Sequence, residues 1–272
     1  MRLGQLGIWR RRHDGVDGVA EIEALGFGTL WVGGSPSVQE ARAFLERSST
    51  LTVATGILNV WQHEPAEVAA QRAEVARAFP GRFLLGIGVG HPEATAEYAT
   101  PLAKMGAFFD GLDAAPEPVA QDERVAAALG PKMLDLAARR SLGTHTYFIT
   151  PEHTRFARER VGPDALVAPE LAVVVEPDDE AARAVAREYA GPYLGRSNYT
   201  NNLQRFGFAE RDVADGGSDR LIDAVVPHGS AQAVAEAVRA HLDAGADHVA
   251  LQPLGHGGAP VADYEALAKA LL

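Results

Sequence analysis

The residues able to do chemistry in this sequence are few, and they gather at the ends of apolar runs. Asn59 and His63 follow Leu51–Leu58, Gly88-Val89-Gly90-His91 follows Arg82–Ile87, Trp9 follows Leu3–Ile8, and Gln252 ends His248–Gln252. Glu176 is the one carboxylate read close to a run's end, so the two facing carboxyl groups of a glycosidase are missing. The nine histidines form no His-Glu-x-x-His helix, and no Gly-x-Ser-x-Gly elbow is present, which argues against a catalytic zinc and a serine nucleophile. Gly86, Gly88 and Gly90 fall short of the dinucleotide fingerprint, because His91 occupies the third glycine position. Two glycines at a strand end still let a flat ligand lie against the backbone. Gly130-Pro131, where a small-residue run meets a helix start, reads either as an anion cradle of backbone N–H groups or as an ordinary turn. A site so poor in nucleophiles and acids suits chemistry carried by a cofactor, with the protein binding and orienting it.

The elements that must hold these residues repeat one pattern. Leu51–Leu58 is apolar and β-branched without alternation, a strand covered on both faces. Pro65 opens an alanine-rich helix, Pro80-Gly81 closes it, and Arg82–Ile87 is the next strand, ending in Gly88 to Pro92. Such a unit is a parallel crossover whose working end is the carboxyl end of its strands. Further strands are expected at Leu3–Ile8, Gly28–Val32, Arg124–Leu129, His145–Ile149, Leu171–Val175 and His248–Gln252. A helix from about Gly15 is expected to face Val16, Val19, Ile22 and Leu25 inward, and Ser37 with Glu40 has capping-box spacing. Tyr98, Leu102, Met105, Phe109 and Leu112 fall at helical spacing as a core face, and Leu134 and Leu142 share the apolar face of a later helix. Asp178, Asp179 and Glu180 suit a helix start, and Pro192 to Pro227 interrupts the rhythm as a helical insertion between strands 7 and 8. Eight strands alternating with helices predict an α/β fold, a (β/α)8 barrel.

Composition narrows the partners. A net charge of −11 argues against nucleic acid or an anionic membrane as the main partner, and no apolar run approaches a membrane span of about 20 residues. The absence of cysteine excludes disulfides and thiolate metal sites. With no charged leader before an apolar segment, a cytoplasmic location is the expectation.

Several stretches carry a resemblance. Ala54-Thr55-Gly56-Ile57-Leu58-Asn59-Val60-Trp61-Gln62-His63-Glu64-Pro65 and Pro80-Gly81-Arg82-Phe83-Leu84-Leu85-Gly86-Ile87-Gly88-Val89-Gly90 resemble the bacterial luciferase-like family. Within it, the chain is most similar to the actinobacterial branch of coenzyme F420-dependent oxidoreductases. Thr144 to Thr154, Pro192-Tyr193-Leu194-Gly195, Asn198 to Asn202 and Gly217 to Leu221 resemble that branch too, so the likeness spans the chain. It implies a flavin or deazaflavin in the barrel mouth, backed by a third-strand bulge that is often a non-proline cis peptide, here Gly56-Ile57, with Asn59 at the ring edge. Gly88, Val89, Gly90 and His91 match the second wall of that pocket. Ala127, Ala128, Leu129, Gly130 and Pro131 match the family's phosphate-binding turn, beside which Lys132 is either a further charge or a solvated side chain.

One departure bears on substrate. Deazaflavin-dependent sugar-phosphate dehydrogenases of this family carry an aspartate-histidine pair after the second strand and a glutamate after the fourth-strand glycines, where this sequence has Gly33-Gly34-Ser35 and His91. The resemblance thus implies one luciferase-like TIM-barrel domain over residues 1–272, an oxidoreductase moving a hydride between coenzyme F420 and a small organic substrate. The alternatives are an FMN-dependent monooxygenase fed by a separate reductase and a non-catalytic flavin-binding barrel. Family members commonly form homodimers through helices near the early strands. His91, of the residue type whose ordinary titration falls near neutrality, either exchanges a proton with substrate or hydrogen-bonds the cofactor or caps the next helix, with His13 and His63 as rivals on the rim.

Overall fold

The computed structural model describes residues 2–91, 100–255 and 259–272. Pro92 and Tyr98, assigned above to a turn and a helix face, lie outside the described residues. Strands β1 (Leu6–Arg11), β2 (Thr29–Gly33), β3 (Thr52–Thr55), β4 (Leu58–Asn59), β5 (Phe83–Gly88), β6 (Arg124–Ala127), β7 (Gly143–His145), β8 (Leu166–Val167), β9 (Glu170–Val175), β10 (His228–Gly229) and β11 (Val249–Pro253) pair in parallel. Their order is β10-β9-β11-β1-β2-β3-β5-β6-β7-β8, with β4 also on β5. β8 and β9 are two parts of one run and join the ends of this path. On one side Ala168 and Glu170 N–H donate to Thr144 and Thr146 carbonyls; on the other, Ala250 N–H donates to the Pro169 carbonyl. With β3 and β4 likewise one strand broken by a bulge, and β10 a short addition at the rim, the sheet is that of a (β/α)8 barrel.

Helices α1 (Val19–Ala24), α2 (Val38–Leu45), α3 (Pro65–Ala78), α4 (Pro101–Asp113), α5 (Pro131–Arg140), α6 (Pro151–Val161), α7 (Asp179–Leu194), α8 (Ser197–Arg205), α9 (Glu210–Val213), α10 (Asp219–Val225), α11 (Ala231–Asp243) and α12 (Val261–Leu271) flank it. Their starts follow from local chemistry. Proline opens α3, α4, α5 and α6, where its missing N–H has no helical partner to lose. Ser37 and Glu40 cap α2 reciprocally, and Asp178 accepts from Ala181 N–H at the start of α7. α8, α9 and α10 make up the insertion between the seventh and eighth barrel strands.

Period two sorts the strand side chains into two cores. Ile8, Leu30, Val53 and Leu85 pack outward under the helices, while Trp9, Trp31, Ala54, Leu84, Val125, Ala168 and Ala250 fill the barrel. A third cluster, including Phe148, Tyr189, Tyr199 and Leu221, lies between the insertion and α7. Among the described residues no helix is long and apolar enough to cross a membrane.

Five local expectations are corrected. The first helix starts at Val19, not Gly15, because the Arg10 guanidinium takes the Asp14 and Asp17 carbonyls that an earlier start would use. The sixth strand stops at His145, since Phe148 adopts a positive φ of 54° and packs its ring on Tyr189 and Tyr193 of α7. Leu142 follows α5 instead of lying on its face and packs against the barrel-interior cluster. Leu102 is exposed, whereas Met105, Phe109 and Leu112 are buried. α7 runs through Pro192 to Leu194, so the interruption begins a few residues later.

Candidate active site

The carboxyl ends of β3, β5 and β6 build one wall. Between β3 and β4 the Gly56–Ile57 peptide is cis. A Cβ on Gly88 would come within 2.7 Å of the Ile57 side chain and 3.0 Å of Ala127, so glycine lets these three residues meet. Asn59, buried, accepts the Trp61 N–H at 3.1 Å, and its side-chain nitrogen stands 3.1 Å from where a Gly90 Cβ would be. The Trp61 indole donates to the Val89 carbonyl at 2.9 Å. Gly56, Ile57, Asn59, Gly88, Val89, Gly90 and Ala127 therefore form one continuous, uncharged surface.

His91 ends that wall, half-buried, with its Nε2 3.4 Å from the Tyr199 hydroxyl of α8. Ala128 is buried, and the Leu129 carbonyl takes a hydrogen bond from His153 Nε2 at 3.0 Å. At the start of α5, Met133 and Leu134 N–H both donate to the Gly130 carbonyl, and Pro131 has no N–H to offer. That leaves the Gly130 and Lys132 N–H groups without a backbone partner among the described residues. A side chain on Gly130 would meet nothing within 4 Å. His13 is exposed and His63 half-buried.

Inside the barrel, His145 stacks on Trp31 at 4.0 Å and 9°, and its Nδ1 hydrogen-bonds the Ala168 carbonyl at 2.7 Å. Burial pulls this imidazole down to about 3, so it is neutral; with Nδ1 as the donor, Nε2 is a bare acceptor. His248, which accepts the Trp31 indole at 3.0 Å, is pulled down to about 4 by the same cause. Among the described residues, His145 Nε2 and Trp9 Nε1 have no hydrogen-bond partner. They lie 3.4 and 2.8 Å from the position of a Gly56 Cβ, so a donor and an acceptor converge on the third-strand bulge. Buried polar atoms left unpaired point to a ligand or water that completes them.

Trp9 joins this wall to a cavity of about 710 Å³ between β1, β11 and α7, which Arg11, Tyr193, Arg196, Gln252 and Tyr264 also line. Three arginines there, Arg10, Arg11 and Arg196, face two carboxylates, Asp14 and Glu188. The Tyr189 hydroxyl is 2.9 Å from that of Tyr147, which is 3.0 Å from that of Tyr193 and donates to Gln252 Oε1 at 3.1 Å. The Tyr189 hydroxyl also stands 3.4 Å from Glu170 Oε1. Sequence reasoning placed Trp9 at a strand end but named none of His145, Tyr147, Glu170, Tyr189 or Tyr193 as site residues. The available signal for Glu170 was a carboxylate two positions from Ala168 and Ala172, visible only once the seventh strand is extended back to Leu166.

The flat uncharged wall, the two unpaired ring nitrogens and the adjoining cavity fit a planar heteroaromatic ring with donors and acceptors along its edge. A family model described as luciferase-like monooxygenase matches residues 10–106 and 103–248. An F420-dependent secondary alcohol dehydrogenase, solved with an F420–acetone adduct, superposes with a TM-score of 0.78 at 15% identity over 99% of this chain and 98% of that one. The coenzyme F420-dependent tetrahydromethanopterin reductase of Methanopyrus kandleri gives 0.71 at 15% identity, covering 99% of both chains. The oxygenating constituent of 3,6-diketocamphane monooxygenase from Pseudomonas putida, solved with FMN, gives 0.69 at 14% identity over 98% and 96%. At these identities the likeness is one of fold. No curated protein matches the chain in sequence.

Proposed function

The chain belongs to the luciferase-like monooxygenase family, and on that premise we propose that it is an oxidoreductase, one domain over residues 1–272, that transfers a hydride between coenzyme F420 and a small organic substrate. The observation that carries the reading is the convergence of Trp9 Nε1 and His145 Nε2 on Gly56, beside a glycine-lined wall that opens into the cavity. When bound, a reduced deazaflavin supplies a hydride and gives up one ring proton. The chain's own residues have the remaining work. Gly56, Ile57, Gly88 and Ala127 back the ring, and Trp9, Asn59 and His145 hydrogen-bond its edge. Ala128, Leu129, Gly130 and Pro131 form the turn that takes its anion at the start of α5, where N–H groups and the helix dipole favour negative charge. His91 closes the wall as the group that exchanges a proton at the ring or substrate.

Titrating the purified protein with coenzyme F420 and with FMN, each followed by fluorescence, tests the reading. Tighter binding of F420, and bleaching of its oxidised or reduced form on adding substrate, is the expected result. Tighter binding of FMN would replace it by a monooxygenase fed by a separate reductase; the FMN-bound relative is itself a monooxygenase. A shifted spectrum with no bleaching by any substrate would indicate a binding barrel without catalysis. The same preparation is expected to sediment as a homodimer.

A further inference from the structure

In the barrel interior stands a carboxyl group that the wall and the cavity leave without a task. Glu170 opens β9 on the inward register: Ala168 packs with Trp9 and Trp31, Ala172 with Phe148 and Tyr189, while Leu171 and Val173 face the helix layer. It is 1% exposed, and among the described residues its Oε2 has no hydrogen-bond partner and no cation lies within ion-pair distance. Burial pushes the carboxyl up to about 8, against the smaller pull of the Phe148 N–H and the Tyr189 hydroxyl. The titratable groups facing it are Tyr189 and Tyr193 of α7, Tyr147 beyond β7 and Tyr199 of α8. Burial raises all four phenols, so they are neutral through the physiological range.

From Glu170 the hydroxyls of Tyr189, Tyr147 and Tyr193 follow at 3.4, 2.9 and 3.0 Å, and Tyr193 lines the cavity. We infer that Glu170 is the proton store of the cavity, exchanging its proton with a ligand there along Tyr189, Tyr147 and Tyr193. Each phenol both donates and accepts, so once the Tyr147 hydroxyl turns from Gln252 to Tyr193 a proton entering at one end releases another at the far end. The role in turnover rests on the hydride-transfer reading. As hydride reaches a carbonyl carbon, the C=O π pair moves to oxygen, which takes the Tyr193 proton and leaves His91 the exchange at the ring. Tyr193 takes one from Tyr147, Tyr147 one from Tyr189, and Tyr189 one from Glu170, leaving a carboxylate that solvent reprotonates through the cavity after product leaves. No electron moves along the chain. Glu170 touches neither substrate nor cofactor and is a positioning residue.

Infrared spectroscopy of the purified protein tests this without turnover. The C=O band of a protonated carboxyl group should persist to about pH 8 in the wild type and be missing in Glu170→Gln. After a jump from pH 7 to pH 9, its decay should slow at least tenfold in Tyr147→Phe and Tyr193→Phe, which keep the ring packing. A carboxyl that ionises in the ordinary acidic range, or equal decay in wild type and both variants, overturns the relay. In turnover, Glu170→Gln should lower kcat about ten- to a hundredfold with KM unchanged and abolish the loss of carbonyl-reducing rate above pH 8; an unaltered pH profile counts against it equally. Failure of the hydride-transfer reading would appear instead as absent F420 binding, and leaves the band and its decay to decide the relay.

Discussion

His91 shows how much one position can carry and how its neighbours limit it. It follows Gly90 at the carboxyl end of a barrel strand, where this architecture gathers catalytic side chains, and it meets the Tyr199 hydroxyl at 3.4 Å. Of its rivals on the rim, His13 is exposed and His63 half-buried, and inside the barrel His145 and His248 are kept neutral by burial at about 3 and about 4. Replacing His91 by glutamine keeps hydrogen bonding and removes titration. Hydride transfer should then slow about a hundredfold, at the lower end of what general acid–base catalysis contributes, and lose its pH dependence near neutrality. Rates and pH profiles equal to wild type would pass the proton to another group.

At the scale of the element, α5 is the decisive case. A (β/α) unit presents its helix start at the mouth of the barrel, and Gly130 ends the loop there with φ −83° and ψ 156°, an extended conformation open to any residue. Gly130→Val therefore meets no steric clash in the fold and should cost it no more than about 1 kcal/mol, the range for a poor cap. It does place a branched side chain in front of the two unpaired N–H groups. Cofactor affinity, measured by fluorescence titration, should fall about tenfold, equivalent to about 1.4 kcal/mol. Unchanged affinity would move the anion site elsewhere on the rim.

For the whole molecule, buried ionisable groups set a pH window for stability. His145, His153, His241 and His248 are held at about 3, 4, 4 and 4 against an ordinary 6.5, chiefly by burial. As pH falls below about 6.5, the unfolded chain binds protons at these sites that the folded chain refuses, so stability falls toward pH 4. Glu170 acts in the opposite sense. Raised from 4.5 to about 8, it keeps a proton that the unfolded chain releases, so stability falls as pH rises between those values, by about 1.4 kcal/mol per unit. Below about pH 7 the four histidines, still partly protonated in the unfolded chain, outweigh the one glutamate; above it the glutamate prevails. Denaturant unfolding should therefore show greatest stability near pH 7, and Glu170→Gln should flatten the decline from there to pH 8. A wild-type profile that rises over that interval would contradict the buried acid.

The sequence by itself determined the eight strands, the proline-opened helices, the insertion and the family, because each rests on local signals: apolar runs, caps and contiguous motifs. That Gly56, Asn59, Gly88 and Gly90 share one wall was legible for the same reason, since they lie in two short stretches of one crossover unit. Which strand residues face inward beyond the obvious apolar ones was decided only by closure. Glu170 precedes an apolar run and reads as its polar edge, yet the bonds from Ala168, Glu170 and Ala250 extend the strand backward and seal its carboxyl group inside. The phenol chain joins residues 147, 189 and 193 to Glu170 and Gln252, distant in sequence and brought together by the barrel and α7. The pairing of Trp9 with His145 at Gly56 likewise spans three strands. No spacing rule reaches such groups, because their proximity is a property of the closed sheet and the helices packed on it.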